Sequence, residues 1–142
     1  MSRAVSRADF YIVTRGDRTA GWRYGCRLVE KAYKLGHRVY VHLPADHVAA
    51  FDDLLWTFSS DSFVPHAVYP AEAEDDSPVY VGAGGEPPEA EVLVQLAPEV
   101  PAFFERFARV VEIVTPEDRE AARQRYRFYR EQRVELHNHE VG

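Results

Sequence analysis

Four arginines, Arg123, Arg125, Arg127 and Arg130, fall within residues 121–130, a stretch that contains no acid. Of the 17 basic residues in the chain all but Lys31 and Lys34 are arginine, whose planar, permanently charged fork grips carboxylates and phosphates through paired hydrogen bonds. On a helix, Arg119, Arg123, Tyr126, Arg127 and Arg130 share a face by i+3 and i+4 spacing. Ala122 and Tyr129, seven apart, form a seam to be buried, while Arg125 and Phe128 point elsewhere. Arg125 lies about 160° from Arg127, two residues at about 100° each. A solvated amphipathic helix also has a basic side, but this density of arginine around an aromatic exceeds what solubility requires. The chemistry on offer is recognition of an anion or an acidic peptide.

Other reactive residue types do not assemble into a site. Gly82-Ala83-Gly84-Gly85 follows an apolar run, as a dinucleotide loop would. The next residues, Glu86-Pro87-Pro88-Glu89, cannot open the helix that such a loop needs, and they repel phosphate. The turn Thr14-Arg15-Gly16-Asp17-Arg18 has one glycine and no lysine, so it is not a phosphate loop. His137 and His139 stand too close for one helix face and have no cysteine or acid cluster near them to complete a metal site. His42 and His66 read as packed or singly exposed. The single cysteine, Cys26, excludes an internal disulfide framework, a four-cysteine zinc site and a CxxC redox centre. It falls on an apolar helix face, where a thiol is structural. There is no Gly-x-Ser-x-Gly elbow. The expectation is a chain with no catalytic centre, no metal and no cofactor.

The elements that carry these residues alternate. Asp9–Val13 reads as a strand and Thr19 to about Leu35 as a helix, with Trp22, Cys26, Val29, Ala32 and Tyr33 on its apolar face and Gly36 closing it. Arg38–Leu43 is a second strand. Pro44–Phe58 is a second helix, with Trp56 off its apolar row. Residues 62–69 are extended, with Pro65 confining them to an edge or a broken strand, and 70–76 form an acidic loop. Strands follow at 78–81, 91–96 and 110–114, the last preceded by a short helix over 103–108. In the final helix Thr115 is placed to N-cap, Pro116 suits the first helical position, and Asp118 stands where a capping-box acid would. Residues 135–142 show little periodicity and read as a flexible tail beyond one domain spanning 1–134. Strand–helix alternation of this kind predicts a single α/β, Rossmann-like three-layer domain, its mostly parallel sheet covered by helices on both faces.

The chain's 142 residues suit one domain, and its 46% hydrophobic and 13% aromatic content supplies a core. No apolar run approaches the roughly 20 residues that cross a bilayer, and the first residues lack the apolar core of a secretion signal. A cytoplasmic protein is expected. Net charge is −6, and no Lys or Arg falls between Val39 and Glu105. The acidic middle and the basic final helix therefore imply separate faces with different clients.

Three segments, in order and spacing, resemble the chi subunit family of bacterial DNA polymerase III: Phe51-Asp-Asp-Leu-Leu-Trp56, Ser62-Phe-Val-Pro-His66 and Ala122-Arg-Gln-Arg-Tyr-Arg-Phe-Tyr-Arg130. The resemblance implies a non-enzymatic subunit with a nucleotide-binding type of fold that lacks the phosphate loop. It implies two partners, the psi subunit of the clamp loader and the acidic C-terminal tail of single-stranded-DNA-binding protein. DNA would be reached only through these partners. By position, Arg123 and Arg127 correspond to the family's tail-holding basic residues, although lysine is familiar where Arg127 stands. Tyr126 and Val114 match apolar pocket positions, and Trp56 matches an aromatic of the same function. Phe63, Val64 and Pro65 are an apolar candidate for the psi interface. The competing readings are a Rossmann-like nucleotide or small-molecule binding protein and direct nucleic-acid binding through the basic helix.

Overall fold

The computed structural model describes residues 7–70 and 76–141. Seven strands and three α-helices follow one another as β1 (Arg7–Val13), α1 (Arg18–Lys34), β2 (Val39–His42), α2 (Val48–Thr57), β3 (Ala67–Tyr69), β4 (Val79–Gly82), β5 (Val92–Gln95), β6 (Arg109–Val114), α3 (Arg119–Glu131) and β7 (Glu135–Val141). The strands form one sheet in the order β3-β4-β2-β5-β6-β1-β7, and every neighbouring pair is parallel. The three-layer α/β expectation holds.

Parallel strands need crossovers that lie on the faces of the sheet, so the inner strands must be apolar on both sides. β2, β4 and β5 are buried at every position. Alternate residues divide between two cores. Val39, Val41, Val111 and Ile113 face Cys26 and Val29 of α1 and Phe51 and Leu55 of α2. Tyr40, Leu93, Val110 and Val114 face Ala122 and Tyr129 of α3, together with Phe104 and Phe107. Helices α1 and α2 thus cover one face and α3 the other.

Asp17 caps α1 by accepting from the Ala20 N–H at 3.1 Å. Gly36 closes the helix at φ +87°, where a side chain would be strained. A Cβ on Gly21 would come within 2.6 Å of Thr115 Cγ2, so glycine there lets α1 press against the end of β6. Burial pushes the Cys26 thiol up to about 12, consistent with a structural thiol.

The structure differs from the sequence expectation in several places. The helix read over 44–58 begins as a 3₁₀ turn, Ala45–His47, before α2. The short helix read over 103–108 is a single 3₁₀ turn, Phe104–Arg106. Of the extended segment 62–69 only Ala67–Tyr69 pairs, at the sheet edge beyond Pro65. The acidic loop falls largely on residues 71–75, which lie outside the described residues.

The largest correction concerns the expected tail. Residues 135–141 are β7, paired in parallel with the whole of β1. Arg133, at φ 62°, makes the left-handed turn that ends α3, and the Val134 N–H returns to Tyr129 O at 3.1 Å. Main-chain bonding then carries a strand whose sequence lacks an apolar alternation. Val141 reaches the first core, and His139 stacks on Tyr11 with ring centroids 4.6 Å apart.

Asp9 joins the three strands at this end of the sheet. Its buried carboxylate accepts from Arg7 of its own strand (2.8 Å to 3.1 Å), Arg109 of β6 (3.2 Å) and His139 of β7 (2.9 Å). Burial opposes its charge, but the bonds from Arg7, His139 and Arg109 prevail and hold it at about 2. A carboxyl held below its unfolded value contributes stability that is full above the unfolded pKa and is lost as pH falls through the folded one. We expect Asp9→Asn to cost roughly 2 kcal/mol near neutral pH and almost nothing near pH 2. Urea unfolding of both proteins at the two pH values measures this, and an equal loss at both would exclude the carboxylate's role.

Candidate functional site

Of the thirteen residues of α3, only Ala122, Arg125 and Tyr129 are buried. The seam of Ala122 and Tyr129 is as expected, but Arg125 joins it. Its side chain is 3% exposed, with Nε 2.7 Å from Glu112 Oε1 on β6. Nη2 donates to Asp118 Oδ2 at 2.7 Å, and Nη1 to Pro98 O at 3.1 Å. The Tyr129 hydroxyl donates to the second Glu112 oxygen at 2.7 Å. Glu112 is wholly buried. Burial pushes its carboxyl up, with Arg125 and Tyr129 pulling against that rise. Burial likewise opposes the charge on Arg125, which Glu112 and Asp118 more than restore.

Asp118 is therefore committed to Arg125 and does not serve as a capping-box acid. Residues Pro116–Asp118 make a 3₁₀ turn that leads into α3, and Thr115 gives no side-chain cap. Sequence reasoning missed this network. The signal was present in Glu112, a carboxylate in the middle of Val110-Val-Glu-Ile-Val114, since a charge on a buried strand requires a buried partner.

With Arg125 turned inward, the outer flank of α3 carries Arg119, Arg123, Arg127 and Arg130, all exposed. Among the described residues Arg123 has an exposed contact with Glu120 at 3.5 Å, and the other three have no ion pair. Tyr126 borders this flank. It is half-buried, its ring meeting Phe10 of β1 edge-on at 5.2 Å, and Ile12 and Leu136 belong to the same cluster. Val114 is 5% exposed in the core beneath, a floor and not an open surface. The structure thus brings Arg123, Tyr126 and Arg127 together.

Trp56 is not among them. It stands near the end of α2, on the opposite face of the sheet and toward the β3–β4 edge. Its ring is 45% exposed, lies 3.9 Å from His66 and is 5.8 Å from Phe63. Phe63 is 70% exposed and Val68 44%, so three apolar side chains of this region meet solvent. Val64 is buried and Pro65 half-buried, which leaves Phe63 as the surface residue of the 63–65 segment. His66 sets the loop: Nδ1 lies 2.7 Å from Val64 O, and Nε2 lies 3.2 Å from both the carbonyl and a carboxylate oxygen of Asp52.

Residues 5–137 match the family described as DNA polymerase III chi subunit, HolC. The chain belongs to the DNA polymerase III chi subunit family. A DNA polymerase III subunit chi of Pseudomonas aeruginosa is 40% identical over 143 residues, covering 96% of this chain and 98% of that one. One from Haemophilus influenzae is 26% identical over 140 residues, covering 95% and 97%. As a chi-family member the chain is an accessory subunit of DNA polymerase III. Among the described residues no helix is long and apolar enough to cross a membrane.

The rotational setting of α3 rests on the buried pair. Removing one member leaves a charge without a partner, at a typical cost of about 3–5 kcal/mol. Arg125→Ala should show a loss of that size in urea unfolding. Replacing both, as Glu112→Leu with Arg125→Met, should recover most of it, because a well-packed apolar pair avoids the desolvation cost of the ions. A loss below about 0.5 kcal/mol for Arg125→Ala, the range of ordinary surface changes, would contradict the network's role.

Proposed function

We propose that this chi-family chain is a non-catalytic connector in the clamp-loader assembly. It holds the psi subunit on one face and the acidic C-terminal tail of single-stranded-DNA-binding protein on the other. The observation that carries this reading is the outer flank of α3. Arg119, Arg127 and Arg130 have no ion pair among the described residues, and Arg123 has only an exposed one, beside the half-buried Tyr126. An acidic peptide that ends in an apolar residue and a free carboxylate needs arginine forks and an apolar socket. Arg123 and Arg127 supply the forks, and Tyr126, backed by Val114 and Phe10, supplies the socket.

Trp56 and Phe63 form the second surface, offered to psi. It lies across the sheet from α3, so both partners can be held at once. Trp56, matched by resemblance to tail binding, is reassigned to this surface because α2 and α3 lie on opposite faces. No catalytic step is assigned. The Gly82–Gly85 segment runs into a loop and not a helix, which supports the absence of a phosphate site. The net charge of −6 disfavours direct contact with DNA and supports action through partners.

In a fluorescence titration of an acidic tail peptide, Arg123→Ala and Arg127→Ala should each lose about tenfold to a hundredfold in affinity, one charge-assisted bond apiece. Arg27→Ala, on α1 across the sheet, should change little. Equal losses in all three would indicate diffuse attraction. Tighter binding of a single-stranded oligonucleotide, with steep salt dependence, would favour direct DNA contact.

For the second surface, Phe63→Ser and Trp56→Ala should abolish co-purification with psi while peptide affinity is retained. The stability loss for Trp56→Ala should fall well short of the roughly 3–5 kcal/mol of a deleted core aromatic. Retained psi binding by both variants would place that interface elsewhere.

A further inference from the structure

An open crevice of ≈ 810 Å³ lies at the carboxyl ends of β4, β2 and β5, apart from both surfaces described above. The chain diverges here. From β2 it crosses toward β3 and β4 through α2 on one face, and from β5 it turns toward β6 through the 3₁₀ turn on the other. Parallel sheets bind ligands at such a divergence.

The last residues of the two strands, His42 and Gln95, are register partners. The Gln95 Nε2 donates to the carbonyls of Ala97 and Glu99, both at 2.9 Å. Its Oε1 accepts from the Ala97 N–H at 3.1 Å and faces His42 Nδ1 at 3.0 Å. With the amide so oriented, Nδ1 carries the proton. Burial lowers the pKa of His42, the Gln95 bond opposing it, so the ring is neutral near pH 7 and Nε2 keeps its lone pair.

Among the described residues Nε2 has no partner. The one fully sealed side-chain polar atom without a partner among the described residues is Tyr40 Oη, so Nε2 is not sealed although His42 is only 8% exposed, and His42 is one of the residues that line the crevice. Phe103 meets the His42 ring edge-on at 5.2 Å. The remaining lining is mostly glycine, alanine and proline, without a lysine or arginine, and Glu99 is the charged member.

We propose that this crevice binds a small uncharged nitrogen heterocycle of the nucleobase class, which donates an N–H to His42 Nε2 and lies against Phe103. A lone-pair acceptor selects a donor, the aromatic and small apolar walls select a flat ring, and the missing cation with Glu99 at the wall rejects a phosphorylated ligand. A nucleotide is therefore the wrong occupant, which separates this site from the dinucleotide loop that Gly82–Gly85 superficially resembles.

The test is an NMR titration of the full ¹⁵N-labelled chain with adenine, adenosine monophosphate and quinoxaline, the last a neutral bicycle without an N–H. Adenine should move the His42 Nε2 resonance to saturation. The other two should bind at least about tenfold more weakly, as expected for one lost or penalised polar contact. His42→Phe keeps a ring against Phe103 but removes the acceptor, and should lose a similar factor for adenine. If that variant does not fold, the wild-type Nε2 resonance decides alone. An unmoved resonance at the solubility limit of adenine, equal binding of the monophosphate, or full adenine affinity in His42→Phe would overturn the proposal.

Discussion

The ion pair between Arg125 and Glu112 is the constraint on which the arginine flank of α3 depends. Helix α3 is highly polar, and its buried apolar contribution comes mainly from Ala122 and Tyr129. So small a seam leaves the rotation of the helix about its axis weakly specified. A guanidinium held by Glu112, Asp118 and the Pro98 carbonyl admits far fewer orientations. Burying both ions costs several kcal/mol each before their attraction is counted, so the pair is a poor device for stability alone. Its value is geometric. With Arg125 pinned inward, the roughly 100° step per residue sends Arg123, Arg127 and Arg130 outward and sets Tyr126 at the boundary.

The all-parallel sheet imposes a second constraint. Each crossover must choose a face, and the choice fixes which side chains can ever meet. Helix α2 lies on the α1 face and α3 on the other, so Trp56 and the arginine flank are separated by the sheet itself. The same topology needs an anchor at its outer end, where β7 has no further neighbour among the described residues. Asp9 provides it, tying Arg109 of β6 and His139 of β7 to β1 with one buried carboxylate. Edge strands with so little apolar alternation are held by main-chain pairing and a few such polar ties.

How much of this was legible in the sequence follows from the range of the forces involved. The valine-rich inner strands were legible because burial on both faces demands continuous apolar runs, as at Val39-Tyr-Val41 and Val92-Leu-Val94. So was the α3 seam, because Ala122 and Tyr129 are one helical repeat apart. β7 was not, since Leu136-His-Asn-His-Glu140 carries no apolar period and its partner strand lies at the other end of the chain. The inward turn of Arg125 was encoded by Glu112, but only as a pair separated by thirteen positions. Trp56 is a different case: its exposure could be read locally, whereas the face of the sheet it occupies is decided by strand order.

These separations bear on how a connector can work. A close-packed sheet core resists small deformations, and the two proposed partner surfaces share no side chain: Phe63 and Trp56 rest on loop 62–66 and α2, whereas Arg123, Tyr126 and Arg127 rest on α3. Coupling between sites requires an element with two arrangements that both sites bias. Here the elements nearest the two surfaces are pinned independently, α3 by Arg125 to β6, and the Phe63 loop by His66 to Asp52 of α2. Neither tie reaches across the sheet. The architecture therefore favours additive occupancy, in which each partner is held at its own affinity whether or not the other is present. In the proposed connector role, that independence would keep one attachment in place while the other forms or breaks.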